Sequence, residues 1–386
     1  MTLEDKRVLI DASMARAGGG FTFMVNMIPA LATRAAGARF RVLLRSTKLA
    51  EAIPAHANVE IDLLPERGLL GRFAFLYGRA AGIAREWAAD VYFSVAEYAP
   101  SGTACPTVVC LRNPNVFTSL EQGWGLYQTL RLGLLRQLAT RSAHRAARVV
   151  FVSRDSAGWI GEAAGVAPGR RAVLHHGIDP EAWRARAGPA AGVDHGILSV
   201  STIYRYKNFV RLIEAYRLLA SRPEWLEEPD ALPDLTIVGD DQDPLHSAQM
   251  RAARAAAGDL AAKIHLVGTV PYLDVPAWYL GSKIFVFPSY LETFGHPMLE
   301  AMASGLPVAA SDLPVFREIG GDAVHYFDAQ DVTKLADSMH ELLSDEGLRQ
   351  KLVERGRRRI ADFTWDASAE KLLAVLAEAA GGEACG

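Results

Sequence analysis

Glu292 and Glu300, with seven residues between them, bracket a short loop and the first turn of the helix that follows it. An apolar run from Ile284 to Phe287 breaks at Pro288, crosses a loop containing Phe294, Gly295 and His296, and re-enters order at Pro297. Pro297 suits the first helical position, Gly305 the C-terminal cap, and Pro307 forbids continuation. The first turn of such a helix, here around Met298 and Leu299, offers unpaired N–H groups and the positive end of a dipole, which suits an anion such as a diphosphate. Carboxylates accept hydrogen bonds from sugar hydroxyls but repel phosphate, so Glu292 and Glu300 suit the neutral ends of the same ligand. Arg205 and Lys207 supply the complementary cations. They follow the strand-like Gly196-Ile197-Leu198-Ser199-Val200 and can neutralise a diphosphate, which gains negative charge when a bond to it breaks. Together these residues outline a nucleotide-sugar site.

Such a site needs strand ends and helix starts, and the chain supplies them in series. Val8 to Asp11 reads as a first strand, followed by Gly18-Gly19-Gly20 and a helix with Phe23, Met27 and Leu31 on one face. A glycine-rich strand-to-helix turn allows close backbone approach to phosphate or sugar, though three glycines alone describe a flexible turn equally well. Leu235 to Val238 forms a strand ending in Gly239, where backbone can approach a base or ribose. Asp90 to Ser94, Thr107 to Leu111 and Val149 to Ser153 are short apolar runs of the kind buried in parallel sheets. The acids Asp240, Asp241 and Asp243 read as loop residues and helix N-caps. His175 and His176 are adjacent, point oppositely in an extended segment, and therefore cannot chelate one metal together.

Length and composition bound the rest. A chain of 386 residues exceeds one typical core, so two domains are expected. Half the residues are apolar, yet no window approaches the roughly 18 uninterrupted apolar residues of a spanning helix. The N-terminus enters a strand without a signal-peptide core, which gives a cytoplasmic expectation. Cys105, Cys110 and Cys385 form no C-x-x-C pair, which argues against a disulfide framework and a structural zinc site.

The stretch Glu292-Thr293-Phe294-Gly295-His296-Pro297-Met298-Leu299-Glu300-Ala301-Met302-Ala303-Ser304-Gly305-Leu306-Pro307-Val308 resembles the E-x7-E signature of glycosyltransferase family 4. The Phe-Gly-x-Pro, Glu-Ala-Met-Ala and Gly-x-Pro-Val around the two acids carry the specificity, since a bare glutamate pair at this spacing is common by chance. The resemblance is strongest from about 196 to 325. It implies the α/β GT-B architecture, two Rossmann-like domains facing across a cleft with the C-terminal helix crossing back onto the first. The corresponding boundaries are 1–183 for an acceptor-side domain, 184–195 for the linker, 196–363 for the donor domain and 364–380 for the returning helix. The implied activity is retaining hexosyl transfer from a UDP- or GDP-sugar to an acceptor hydroxyl, in the synthesis of cell-surface polysaccharide, lipopolysaccharide or glycolipid. Lys207 and Arg205 would hold the diphosphate, Glu300 the ribose and Glu292 the sugar ring, helped by backbone from Phe294 to His296. Gly19 and Gly20 match the family's first glycine loop, and Gly239 a strand end near the nucleotide. Family enzymes are thought to let the leaving phosphate oxygen take the acceptor's proton, so neither a separate base nor a metal is expected.

Two departures stand out. Ser201 and Thr202 occupy places where the family commonly has Gly-Arg, which leaves Arg205 to substitute. Asn113 lies where many members have a histidine close to the reacting sugar, so a histidine-centred account does not transfer. An asparagine there can bond a sugar hydroxyl or orient the acceptor, and it equally suits an Asn-Pro turn. These departures keep open a catalytically silent nucleotide-sugar-binding protein, or another GT-B enzyme such as a phosphorylase. An NAD-dependent oxidoreductase is disfavoured by the absence of a G-x-G-x-x-G fingerprint.

Charge bears on partners. Residues 1–190 hold 23 Lys+Arg against 15 Asp+Glu, and the remainder 18 against 29, so a basic half joins an acidic one. Two segments concentrate the arginines, Arg67 to Trp87 and Arg131 to Arg148. They suit an anionic membrane surface or a lipid-linked acceptor as well as ordinary solvated helices. The expected partners are a nucleotide-sugar donor and a saccharide or lipid-linked acceptor, with peripheral contact at the inner face of the cytoplasmic membrane and no nucleic acid.

Overall fold

The central strand-forming segments, such as Thr107 to Leu111 and Ile284 to Phe287, are apolar on both faces, and such strands are stable only when helices cover both sides of the sheet. The computed structural model, which describes residues 3–14, 19–118, 125–186 and 196–381, contains two sheets of this kind. The first comprises β1 (Arg7–Asp11), β2 (Arg39–Leu44), β3 (Val59–Leu63), β4 (Val91–Ser94), β5 (Thr107–Leu111), β6 (Arg148–Phe151) and β7 (Arg171–Val173). Its spatial order is 3-2-1-4-5-6-7, parallel throughout. The second comprises β8 (Gly196–Val200), β9 (Leu235–Val238), β10 (Ile264–Gly268), β11 (Ser282–Phe287), β12 (Val308–Ser311) and β13 (Val324–Phe327), in the order 10-9-8-11-12-13 and again parallel.

Each sheet reverses its strand order once, between β1 and β4 in the first and between β8 and β11 in the second. Loops leaving the C-terminal ends of two strands at such a point diverge, and the crevice between them is where ligands bind in open α/β sheets. For the second sheet those loops begin at Ser201 and Pro288. They hold the residues singled out above.

Contacts divide the chain into two compact units, one running to Gly177 and resumed from Thr364, the other spanning Ile178–Phe363. Each has its own core. Leu9, Tyr92, Val109, Leu111 and Phe151 anchor the first, and Ile197, Phe209, Leu235, Ile284 and Val286 the second. The division falls earlier than residue 183. The helix Pro180–Ala185 lies in the second unit, where Arg184 donates to the Ala303 carbonyl at 2.8 Å and Trp183 to the Ser304 hydroxyl at 2.8 Å. Arg184 is thus helical rather than linker, and 187–195 lie outside the described residues.

The last helix, Trp365–Gly381, returns to the first unit and packs along the helix Gly19–Arg34. Arg34 pairs with Asp366 and, at 3.4 Å, with Glu370, while Trp365 meets the Phe23 ring edge-on at 6.2 Å. His176 lies between them, its ring 5.5 Å from Phe23 and 5.8 Å from Trp365, so it is a packing residue of this junction. Cys105 and Cys110 are buried free thiols, and burial pushes them up to about 11 and about 12 respectively. Cys385 lies outside the described residues.

Candidate active site in the second unit

The segment after β8 is shaped by its own backbone bonds. Thr202 is half-buried, the Ile203 amide donates to the Asp240 carbonyl at 2.8 Å, and Arg205–Lys207 form a single 3-10 turn. Asn208 closes that turn in the left-handed region at φ 64, a conformation asparagine tolerates better than most residues. Its amide nitrogen donates to the carbonyls of Pro288 at 3.0 Å and Ala329 at 2.8 Å. The Tyr290 amide answers with a bond to the Tyr206 carbonyl at 2.9 Å. The two diverging loops of the switch point are therefore stitched together by backbone and amide groups.

This stitching brings Lys207 to Glu292. Its ammonium lies over the rings of Tyr206 and Phe287, 5.2 and 5.6 Å from their centres, and bonds Glu292 Oε1. Both side chains are only 10% exposed. The Ser289 hydroxyl donates to the same carboxylate oxygen at 3.3 Å. Arg205 lies alongside but faces another acid, with Nε 3.2 Å from Asp243 Oδ2. Asp243 also caps the helix Pro244–Ala255 by accepting from the His246 amide at 3.2 Å, which bears out the N-cap reading.

The helix after the second loop is His296–Ala303. Gly295 precedes it at φ 90, and a Cβ there would stand 2.7 Å from the Phe316 ring, so both conformation and space demand glycine. Glu300 is 7% exposed and occupied at both oxygens: Tyr279 Oη donates to Oε2 at 2.9 Å, and His296 Nδ1 lies 3.0 Å from Oε1. Burial and then the Glu300 charge hold the Tyr279 hydroxyl well above its ordinary range, so it stays a donor. A carboxylate offers about four acceptor positions, which leaves Glu300 capacity for ligand hydroxyls.

Three expectations need correcting or narrowing. The Met298 amide is not a free donor for an anion, because it bonds the Gly295 carbonyl at 2.9 Å. Phe294, Met298 and Leu299 bury their side chains, leaving only backbone for any ligand contact. Gly239 serves a neighbouring strand end: a Cβ there would fall 1.8 Å from the Ser201 carbonyl oxygen, so glycine is needed for two chain segments to pass.

Gly19, Gly20 and Asn113 belong to the first unit. Gly19 and Gly20 open the helix Gly19–Arg34, and a Cβ on Gly19 would touch nothing within 4 Å; Gly18 lies outside the described residues. Asn113 caps the short helix Pro114–Phe117, its side chain accepting from the Asn115 amide at 3.1 Å. The buried Glu97 carboxylate fixes that turn by accepting from the Asn113 amide at 3.0 Å. Tyr279, Ser289 and Glu97 carried no site signal in the sequence, whereas Asn208 was marked by its place directly after Lys207, where the Lys-Asn pair matches the family pattern.

Two family models match the chain, the Glycosyltransferase Family 4 model over residues 17–182 and the Glycosyl transferases group 1 model over 186–359. O-antigen chain mannosyltransferase B of Escherichia coli is 31% identical over 169 residues, 44% of this chain and 42% of that protein. Phosphatidyl-myo-inositol mannosyltransferase of Mycolicibacterium smegmatis is 30% identical over 169 residues, 42% of this chain and 41% of that protein. The chain thus matches about two fifths of the length of these curated relatives. Among solved structures, Anabaena HepE in complex with UDP-glucose superposes with a TM-score of 0.73 at 16% identity, covering 96% of this chain and 99% of that one. WaaG, a glycosyltransferase involved in lipopolysaccharide biosynthesis, gives 0.70 at 19% identity, covering 97% and 100%. These likenesses make the two parallel-sheet α/β domains a GT-B fold. With a model matching each half, the protein belongs to glycosyltransferase family 4, the group 1 glycosyltransferases.

Proposed function

We propose that the protein is a retaining hexosyltransferase that moves a sugar from a nucleoside-diphosphate donor to an acceptor hydroxyl in the assembly of a cell-surface polysaccharide, lipopolysaccharide or glycolipid. The observation that carries this reading is the meeting of Lys207 and Glu292 at the strand-order reversal of the second sheet, eight residues before Glu300. In the free protein the two charges satisfy each other, and removing either would leave the other largely buried and uncompensated. An entering donor offers Lys207 a phosphate and Glu292 a sugar hydroxyl, so each finds a partner of the chemistry it lacks.

Arg205 stands on the same turn and exchanges Asp243 for phosphate. Its charge and that of Lys207 offset the negative charge growing on the leaving diphosphate. Glu300, held by Tyr279, takes ribose hydroxyls. The leaving phosphate oxygen accepts the acceptor's proton, so the mechanism assigns no separate base and no metal. Mannosyltransferases among the relatives make GDP-mannose the first donor to try, beside UDP-glucose.

The test is release of nucleoside diphosphate from each donor, with and without oligosaccharide or lipid-linked acceptors, and the anomer of the product read by NMR. Lys207→Ala and Glu292→Gln should each lower release by about a hundredfold or more. A chelator should leave the rate unchanged. Unchanged turnover in both variants, or an inverted anomer, would sink the reading.

A further inference from the structure

The helix Phe209–Ala220, which follows Lys207 and Asn208, carries Arg211 in its first turn. Arg211 has no carboxylate partner among the described residues, whereas Arg222, Arg317 and Arg349 of the same unit each pair with an acid. Its Nη1 donates instead to a neutral acceptor, Asn208 Oδ1, at 2.9 Å. Asn208 is 3% exposed, and its Nδ2 donates to two backbone carbonyls, those of Pro288 and Ala329.

The Arg211 contact decides which way this amide faces. Turned over, Asn208 would set its oxygen against two carbonyls and its NH2 against a guanidinium, opposing buried groups of like kind. One side chain thereby ties three strand ends, because Asn208 follows β8, Pro288 follows β11 and Ala329 follows β13. The tie lies one residue from the donor-holding groups on each side. Lys207 precedes Asn208, and Ser289, whose hydroxyl donates to Glu292, follows Pro288. Tyr290 comes next: burial raises its hydroxyl, opposed by the Arg205 and Arg211 charges, so Arg211 borders the loop that bears Glu292.

We propose that Arg211 is a positioning residue for the transfer reaction: by orienting the Asn208 amide, it holds the loops after β8 and β11 at the separation that sets Lys207 against the donor's diphosphate. This role rests on the donor reading above and gives Arg211 no contact with the donor itself. Its effect falls on rate more than on affinity. Negative charge grows on the diphosphate as its bond to the sugar breaks, so a displaced Lys207 loses more in the transition state than in the ground state.

The experiment compares Arg211→Met, which keeps the apolar stem, with Arg211→Lys, which restores a donor, and with Asn208→Asp, which tolerates the left-handed backbone but replaces both amide donors by an acceptor. Steady-state release of nucleoside diphosphate is measured with GDP-mannose and UDP-glucose. Arg211→Met should lower kcat about tenfold with KM within about twofold, and Arg211→Lys should recover most of that loss. Asn208→Asp should lower kcat at least as far, and adding Arg211→Met to it should lower it no further, because both act on one tie. A readout without turnover is the rate at which an amine-specific reagent labels Lys207, followed by mass spectrometry with the exposed Lys351 as internal standard. Lys207 should label about threefold faster in Arg211→Met and in Asn208→Asp, at temperatures well below each variant's melting midpoint. The proposal is overturned if Arg211→Met keeps the wild-type kcat or the wild-type labelling of Lys207, if Arg211→Lys is no better than Arg211→Met, or if the Arg211 and Asn208 losses add. A fall in release by Lys207→Ala beside wild-type rates in Arg211→Met overturns this role alone. Unchanged release in Lys207→Ala overturns it together with the donor reading.

Discussion

Glu300 shows how much of a site can hang on a residue the sequence does not mark. Its carboxylate is 7% exposed, and its orientation depends on Tyr279, 21 positions earlier on another helix, whose hydroxyl donates to Oε2. A hydrogen bond to a charged group contributes about 1.5–3 kcal/mol, and the loss is larger where the acceptor is buried. Tyr279→Phe keeps the ring and its packing on Trp183 and Phe285 while removing that donor. It should weaken nucleoside-diphosphate binding about tenfold, and kcat should fall less than KM rises; calorimetric titration and steady-state rates read both. An unchanged affinity would mean that Glu300 is oriented by His296 alone. The acids themselves were legible because the residues around them form a long motif. Their partners were not, because hydrogen bonds across helices leave no periodicity and tyrosine in an apolar helix reads as core.

At the level of elements, strands and helices were largely readable from apolar runs and from the punctuation of Gly and Pro. The expected last helix, 364–380, compares with an observed Trp365–Gly381. Strand order was not readable. Parallel strands of similar composition do not announce their neighbours, and the pairing of β8 with β11 is what lets Lys207 reach Glu292, 85 residues further along the chain. The join between Pro288 and the helix His296–Ala303 rests on one backbone conformation. Gly295→Ala should destabilise the second unit by roughly 1–3 kcal/mol from the φ 90 geometry alone, with the Phe316 contact adding to that. Urea unfolding checks it, and a shift below about 0.5 kcal/mol would mean that the loop relaxes freely.

The helix Pro244–Ala255 carries a second test. Burial holds the His246 imidazole below its ordinary value, outweighing the opposing Gln249 hydrogen bond and the Asp243 charge, while the nearby Arg205 lowers it further. A group lowered by folding takes up a proton in the unfolded chain first. Stability is therefore full above about pH 6.5 and falls as pH drops from there toward the folded value. His246→Phe should flatten that acid limb of the stability curve while leaving the slope above neutrality unchanged. Chemical denaturation across pH reads the difference.

Across the whole molecule, two separate cores sit in two units, and the family resemblance implies donor and acceptor sides in different halves. The residues proposed to hold the diphosphate, Arg205, Lys207, Glu292 and Glu300, all lie between Ile178 and Phe363. A ligand stabilises only the cooperative unit that binds it, by about 2.7 kcal/mol when present at a hundred times its dissociation constant. Calorimetry of the intact chain should then show GDP or UDP raising the melting of the second unit by several degrees. Melting of the first unit, followed through Trp365 and Trp87 fluorescence, should move little. Lys207→Ala should abolish the shift without altering the first transition. If nucleotide raises both transitions equally, the units melt as one cooperative body and the assignment of the donor to the second must be made by titration instead. If it raises only the first, the diphosphate lies with the basic half, and Lys207 and Glu292 form a structural pair.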